Sequence, residues 1–154
     1  MTYAEYKNAR QGEFDALPIF WASSNKQFEE AMQERGLTVN DTDKVFSLGH
    51  GGFALKRDKD VILAFLNKKD PITDLMKDPV FAFDAFYDEM CNHEFCINTQ
   101  GSWDVCSCFG VCEYSEDKGG AEYLSEMGYG DDTINAYCAT KAQYFRDAEG
   151  KGWY

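Results

Sequence analysis

Residues 45–55 read VFSLGHGGFAL, and this stretch decides whether the chain is all-helical or carries a sheet. Two short apolar runs, Val45-Phe46-Ser47-Leu48 and Phe53-Ala54-Leu55, flank Gly49-His50-Gly51-Gly52. Runs too short for a helix, joined by residues that accept positive φ, predict a β-hairpin. Upstream, Pro18-Ile19-Phe20-Trp21-Ala22 is a third short apolar run and reads as a buried strand. The three segments together predict one small antiparallel sheet. The glycine-rich connection also offers backbone N–H groups to an anion, but it lacks the lysine and the following helix of a phosphate-binding loop. A plain hairpin turn is the reading that remains.

The rest of the chain carries helix signals. Thr2 with Glu5 makes a capping box that opens a helix to about Ala16. Ser24 with Gln27 makes a second; its helix shows Phe28, Ala31 and Met32 on one face and stops at Gly36. Asp58 caps a helix whose apolar residues are Val61, Ile62, Phe65 and Leu66, and Asp70-Pro71 starts a short turn of helix to Lys77. Asp78-Pro79 is an N-cap followed by proline at the first helical position. From it Val80, Phe83, Tyr87 and Met90 fall on one helical face. Residues 102–110 fit either a short capped helix or a strand with Trp103, Val105, Ser107 and Phe109 on one side. Glycines 119, 120, 128 and 130 bracket a helix near 121–127. The last helix starts near Asp131 or Asp132, with Ile134, Tyr137, Cys138 and Phe145 inward. The expectation is a single α+β domain over residues 1–154, mostly helical, with a sheet of about three strands.

At 44% hydrophobic and 16% aromatic, the chain has enough apolar surface to fold despite a net charge of −12. That charge excludes direct binding to nucleic acid or to an anionic membrane surface and favours a basic partner. The first fifteen residues, MTYAEYKNARQGEFD, carry both charge signs and no apolar core, and no run approaches the ~20 apolar residues of a membrane span. A cytoplasmic location with reduced cysteines follows as the expectation. The acid is segregated: residues 70–104 hold eight carboxylates (Asp70, Asp74, Asp78, Asp84, Asp88, Glu89, Glu94, Asp104) against one base, Lys77. Carboxylates four apart on a helix stand ~6 Å apart along its axis, comparable with the spacing of backbone phosphates.

Five cysteines and a histidine crowd residues 91–112, CNHEFCINTQGSWDVCSCFGVC. Cys91, His93, Cys96, Cys106, Cys108 and Cys112 are candidate zinc ligands, but their spacings, C-x-H-x-x-C and C-x-C-x-x-x-C, do not reproduce the paired C-x-x-C knuckle. If residues 102–110 are helical, Cys106 and Cys108 point about 200° apart; if they form a strand, the two share a face. Buried free cysteines packing as small hydrophobes are the leading reading. A reactive thiol would want positive surroundings, which this segment lacks. His93 reads as a helix-terminal histidine rather than a catalytic base.

The run Leu17-Pro18-Ile19-Phe20-Trp21-Ala22-Ser23-Ser24-Asn25-Lys26-Gln27-Phe28-Glu29-Glu30 resembles the opening of an uncharacterised family of small proteins associated with phages, prophages and mobile elements of gut Firmicutes. Gly49-His50-Gly51-Gly52-Phe53 and Tyr87-Asp88-Glu89-Met90-Cys91-Asn92-His93-Glu94-Phe95 resemble later segments of that family. The likeness covers roughly residues 1–100, and the part beyond Cys96 departs from the pattern. It implies no activity and no catalytic residue. It implies a setting, accessory genes of mobile elements, in which acidic inhibitors of nucleases, anti-CRISPR proteins among them, are common.

The sequence therefore predicts a non-enzymatic acidic protein that blocks a basic nucleic-acid-binding surface of a host defence protein, such as a CRISPR effector or another nuclease. Asp74, Asp84, Asp88, Glu89 and Glu94 are the candidate contacts, with Tyr87 as an aromatic anchor. No cofactor is expected. The alternative is a zinc-stabilised interaction domain or small metalloprotein built on residues 91–112.

Overall fold

The computed structural model describes residues 1–153. Its helices are α1 (Tyr3–Asp15), α2 (Asn25–Glu34), α3 (Lys59–Asn67), α4 (Ile72–Leu75), α5 (Pro79–Asn92), α6 (Gly101–Ser107), α7 (Gly120–Glu126) and α8 (Asp131–Lys151). The strands are β1 (Ile19–Trp21), β2 (Val45–Gly49) and β3 (Gly52–Leu55), in the order β1-β3-β2 with both pairings antiparallel. The fold is α+β and mostly helical. Two compact units divide the chain: a smaller one, Ala9–Lys69, and a larger one formed by Met1–Asn8 with the chain from Asp70 onward. Among the described residues no helix is long and apolar enough to cross a membrane.

The smaller unit holds the sheet. Val45 faces Leu55, Phe46 faces Ala54 and Ser47 faces Phe53, and then the register shifts so that Gly49 faces Gly52. The two connecting residues, His50 at φ 51° and Gly51 at φ 81°, both lie in the left-handed region. This is the turn whose twist matches that of the flanking strands. Phe20, Met32 and Leu55 form the buried centre, with Phe53 stacked on Phe20 at 5.7 Å and Phe28 edge-on to Phe53 at 5.1 Å. Three expectations are corrected here. β1 is a half-buried edge strand, with Phe20 inward and Trp21 outward, because α2 packs through Phe28 and Met32 on one face of the strand and leaves the other open. On α3 only Ile62 is fully buried, whereas Val61 and Leu66 face solvent. Ser24 caps α2 through the Gln27 N–H, but the Gln27 side chain turns to the Ser23 N–H and hydroxyl instead of closing the box.

The larger unit is helical. The capping box at its start forms in both directions: Glu5 accepts the Thr2 N–H at 2.7 Å, and Thr2 Oγ1 accepts the Glu5 N–H at 3.2 Å. Asp78 accepts the Val80 N–H and opens α5, which packs along α8. Phe86 sits at the centre, edge-on to Phe109 at 5.1 Å and to Tyr137 at 5.3 Å. The buried face of α5 is Phe81, Ala82, Ala85, Phe86, Glu89 and Met90. The expected face of Val80, Phe83, Tyr87 and Met90 is thus corrected in its first three members: Val80 is 77% exposed, and Phe83 and Tyr87 are half-buried. The segment PVFAFDAFY is apolar around its whole circumference, so periodicity alone offers two faces and packing selects the one with the alanines. On α8 the inward residues are Thr133, Ala136, Tyr137, Thr140, Tyr144 and Ala148, and Cys138 is exposed instead of inward. Residues 101–107 are helical, which settles the choice left open by the sequence.

Where α7 meets α8, the backbone of Gly120 lies against the Tyr137 ring: a Cβ added there would sit 2.1 Å from the ring and 2.2 Å from its hydroxyl oxygen. Tyr137 is buried and cannot swing away without opening the core. Gly120→Ala is expected to destabilise the protein by ~1–3 kcal/mol through overpacking, and Phe86→Ala by ~3–5 kcal/mol through cavity formation. Urea unfolding followed by circular dichroism measures both; a midpoint unchanged in either variant contradicts the packing described.

Candidate functional site

α5 carries the residues singled out from the sequence, and the fold sends them in different directions. Glu89 is buried, 7% exposed, and its Oε1 accepts the Tyr3 hydroxyl at 2.6 Å. It is therefore not a surface contact. Asp84 is exposed but accepts the Tyr3 N–H at 2.8 Å, supplying an acceptor to one of the unpaired donors at the start of α1. Asp88 is paired with Lys7 of α1. Asp74 lies beside Lys77, 2.8 Å away. Glu94 is exposed just beyond α5, at φ 49°. The carboxylate ladder read from the i, i+4 spacing is thus largely spent on holding α1 to α5. The reason is chemical: α1 brings Tyr3 and Lys7 to the same face, one turn apart, where they meet Glu89 and Asp88.

What remains open is the other side of α5. Val80 and Phe83 form an apolar ridge there, flanked by two hollows. One hollow, of about 470 Å³, is floored by Ala136 and Ala139 of α8 and edged by Asp132. The second, of about 670 Å³, is edged by Asp78, Asp84 and Asp147, with Tyr87 between them. Among the described residues no lysine or arginine side chain lines either hollow. The Tyr87 hydroxyl donates to Asp147 at 2.6 Å, which fixes the ring and pushes the phenol up to about 12, because losing its proton beside a carboxylate is unfavourable. The same bond holds the Asp147 carboxyl below its ordinary range, with help from Gln143, Lys151 and Arg146. The sequence named Asp84 and Tyr87 of this surface. It missed Val80 and Phe83 as outward residues, and missed Asp78, Asp132 and Asp147 as their acidic rim.

A family model matches residues 2–128. The chain belongs to DUF7659, a family of unknown function. No curated protein and no solved structure matches the chain. The match takes in α1 to α7, and so includes the whole of α5 with one side of the ridge.

The cysteines do not converge as a set. Cys106 is buried and points to the Gly120 carbonyl at 3.6 Å, Cys96 accepts from the Tyr144 hydroxyl at 3.5 Å, and Cys91 and Cys138 are exposed. Cys112 lies half-buried, its backbone carbonyl accepting the Trp103 indole N–H at 3.1 Å. Only His93 and Cys108 of the six candidate ligands meet, with Glu89 as an unforeseen third: Nε2 to Oε2 is 3.5 Å, Sγ to Oε2 3.6 Å and Sγ to Nε2 3.6 Å. The thiols of Cys91, Cys106, Cys108 and Cys112 are all raised, each chiefly by burial, and those of Cys106 and Cys108 reach about 12. None has the lowered value of a redox or nucleophilic thiol.

Because its folded value is lowered, Asp147 contributes stability that is present above its unfolded value, ~3.9, and is lost as pH falls through the folded one. Tyr87→Phe removes the main cause. Thermal midpoints measured from neutral pH down to pH ~2 are expected to fall less steeply on the acid side in Tyr87→Phe than in the wild type; parallel curves contradict the assignment.

Proposed function

We propose that this protein is a non-enzymatic binding protein whose α5–α8 face receives a basic amphipathic helix of another protein. The observation that carries the reading is the apolar ridge of exposed Val80 and half-buried Phe83, rimmed by Asp78, Asp84, Asp132 and Asp147, with no basic side chain among the described residues that line its hollows. Helix-in-groove docking needs an apolar seat for the i, i+3, i+4 and i+7 residues of the incoming helix. The carboxylates then set orientation and speed encounter with a positively charged partner, in a manner weakened by salt. The net charge of −12 supports the same partner class.

The partner's basic segment, on this reading, is one that otherwise contacts nucleic acid. The resemblance to accessory proteins of mobile elements supports a host defence protein, a CRISPR effector or another nuclease, as its owner. The protein would compete by occupying the basic segment, not by copying a row of phosphates, because Asp88 and Glu89 are engaged within the fold.

The test uses labelled Leu/Lys amphipathic peptides of helical period, with Leu/Glu peptides of the same pattern as controls, read by fluorescence anisotropy. Binding of the basic peptides alone, with steep loss on adding salt, is expected. Val80→Lys is expected to weaken it ~10-fold or more, since it removes an anchor and adds repulsion. Val80 is exposed, so thermal stability should be unaffected. Equal binding of both peptide types, or none, removes the groove as a docking site.

A further inference from the structure

We infer that Glu89, His93 and Cys108 form a binding site for one divalent transition-metal ion of the zinc type, with three protein ligands and the fourth position open. The inference is independent of the α5–α8 groove.

The spacing is the first support. A tetrahedral ion with ligand distances of ~2.0–2.3 Å holds an oxygen and a nitrogen ~3.4 Å apart, and a sulfur ~3.6 Å from either. The corresponding separations in the protein are 3.5, 3.6 and 3.6 Å. Three donor atoms of three elements therefore stand at the corners of one tetrahedral face. Backbone geometry puts them there: Glu89 and His93 are four apart at the end of α5, and Cys108 closes α6.

Proton counting is the second. The Cys108 thiol has one proton and two oxygens in reach, Glu89 Oε2 at 3.6 Å and the Asp104 carbonyl at 3.3 Å, and its sulfur lies 3.6 Å from His93 Nε2. One proton serves one of the two oxygens, whereas a cation that displaces it engages the sulfur, Oε2 and a neutral Nε2 together.

The third is the surroundings. Glu89 is buried, and among the described residues no lysine or arginine forms an ion pair with it. Buried carboxylates are paired or bind metal. Its Oε1 is fixed by the Tyr3 hydroxyl at 2.6 Å, which leaves Oε2 turned to His93 and Cys108, and Asn92 Nδ2 approaches Oε2 at 3.3 Å. Such outer hydrogen bonds orient ligands in metal sites. His93 and Cys108 lie at the surface, which gives an ion a path in and leaves one coordination position for water or a small ligand. One oxygen, one nitrogen and one sulfur donor suit zinc, with cobalt as its spectroscopic stand-in, over magnesium or calcium, which take oxygen.

Titration of the reduced full-length protein with Co²⁺ tests the site. One equivalent per chain is expected, with visible bands of tetrahedral cobalt and a near-ultraviolet thiolate-to-cobalt band, all displaced by an equivalent of Zn²⁺. Cys108→Ser should abolish the thiolate band, His93→Gln should weaken binding at least ~10-fold, and Cys138→Ser, exposed on α8, should change nothing. Circular dichroism checks that each variant is folded. Failure of the wild type to bind stoichiometrically, survival of the thiolate band in Cys108→Ser, or its loss in Cys138→Ser overturns the assignment.

Discussion

A carboxylate taken out of water must be answered by donors, and Glu89 is the place where this chain meets that requirement. The Tyr3 hydroxyl and the Asn92 amide supply what α1 and α5 can offer. A hydrogen bond to a charged group is worth ~1.5–3 kcal/mol, and stranding the charge costs more. Around it, Asp84 receives the Tyr3 N–H and Asp88 receives Lys7, so three carboxylates of one helix fix the first two turns of another. The Tyr3 ring then lies among Tyr6, Phe81 and Phe109, at centroid distances of about 6 Å. Polar specificity and apolar packing thus act on the same residue. Burial, with the hydrogen bond to Glu89 next, pushes the Tyr3 phenol strongly upward, so the donor stays a donor at any ordinary pH.

This constraint orients α5 and so sets what each of its sides can do. With Phe81, Ala85 and Phe86 turned inward, the other apolar residues of the same helix have to face out. A helix with phenylalanines and a valine on several sides cannot hide every one of them against α8, whose buried face is Thr133, Ala136, Tyr137, Thr140, Tyr144 and Ala148. The ridge of Val80 and Phe83 is what is left over. A rim of aspartates stands beside it.

Much of this was legible in the sequence because local signals coincide with tertiary demands. The capping box of Thr2 and Glu5, the Asp78-Pro79 start and the Gly49–Gly52 connection each specify a backbone conformation over a few residues, and each formed. The small sheet followed from run length. The α5 face was not legible, since alternative helical faces of PVFAFDAFY carry similar apolar content and the choice rests on how closely α8 can approach. Glu89 was misread for a related reason. Surrounded in sequence by Asp84, Asp88 and Glu94, it looks like one more surface charge, and only the arrival of Tyr3 from 86 residues away distinguishes it. The convergence of Glu89, His93 and Cys108 has one local trace, the Glu-x-x-x-His spacing on a helix end. The third member, fifteen residues beyond the histidine, depends on how the segment between α5 and α6 turns.

That turn is itself specified by local hydrogen bonds. Glu94 takes a left-handed conformation at the end of α5, Asn98 donates to the His93 carbonyl at 3.0 Å and to Asp104 at 2.7 Å, and Phe95 is buried against Tyr144. Asn98 therefore bridges the end of α5 to the first turn of α6, and the position of Cys108 relative to His93 is set by hydrogen bonds, not by the reach of flexible side chains. A group that engages Oε2 of Glu89 also acts on Tyr3 through Oε1, and hence on the seating of the first turns of α1. By linkage, ordering at either place favours ordering at the other. The end of α5 and the start of α1 are thus coupled through one carboxylate, although Tyr3 and Glu89 stand 86 positions apart in the chain.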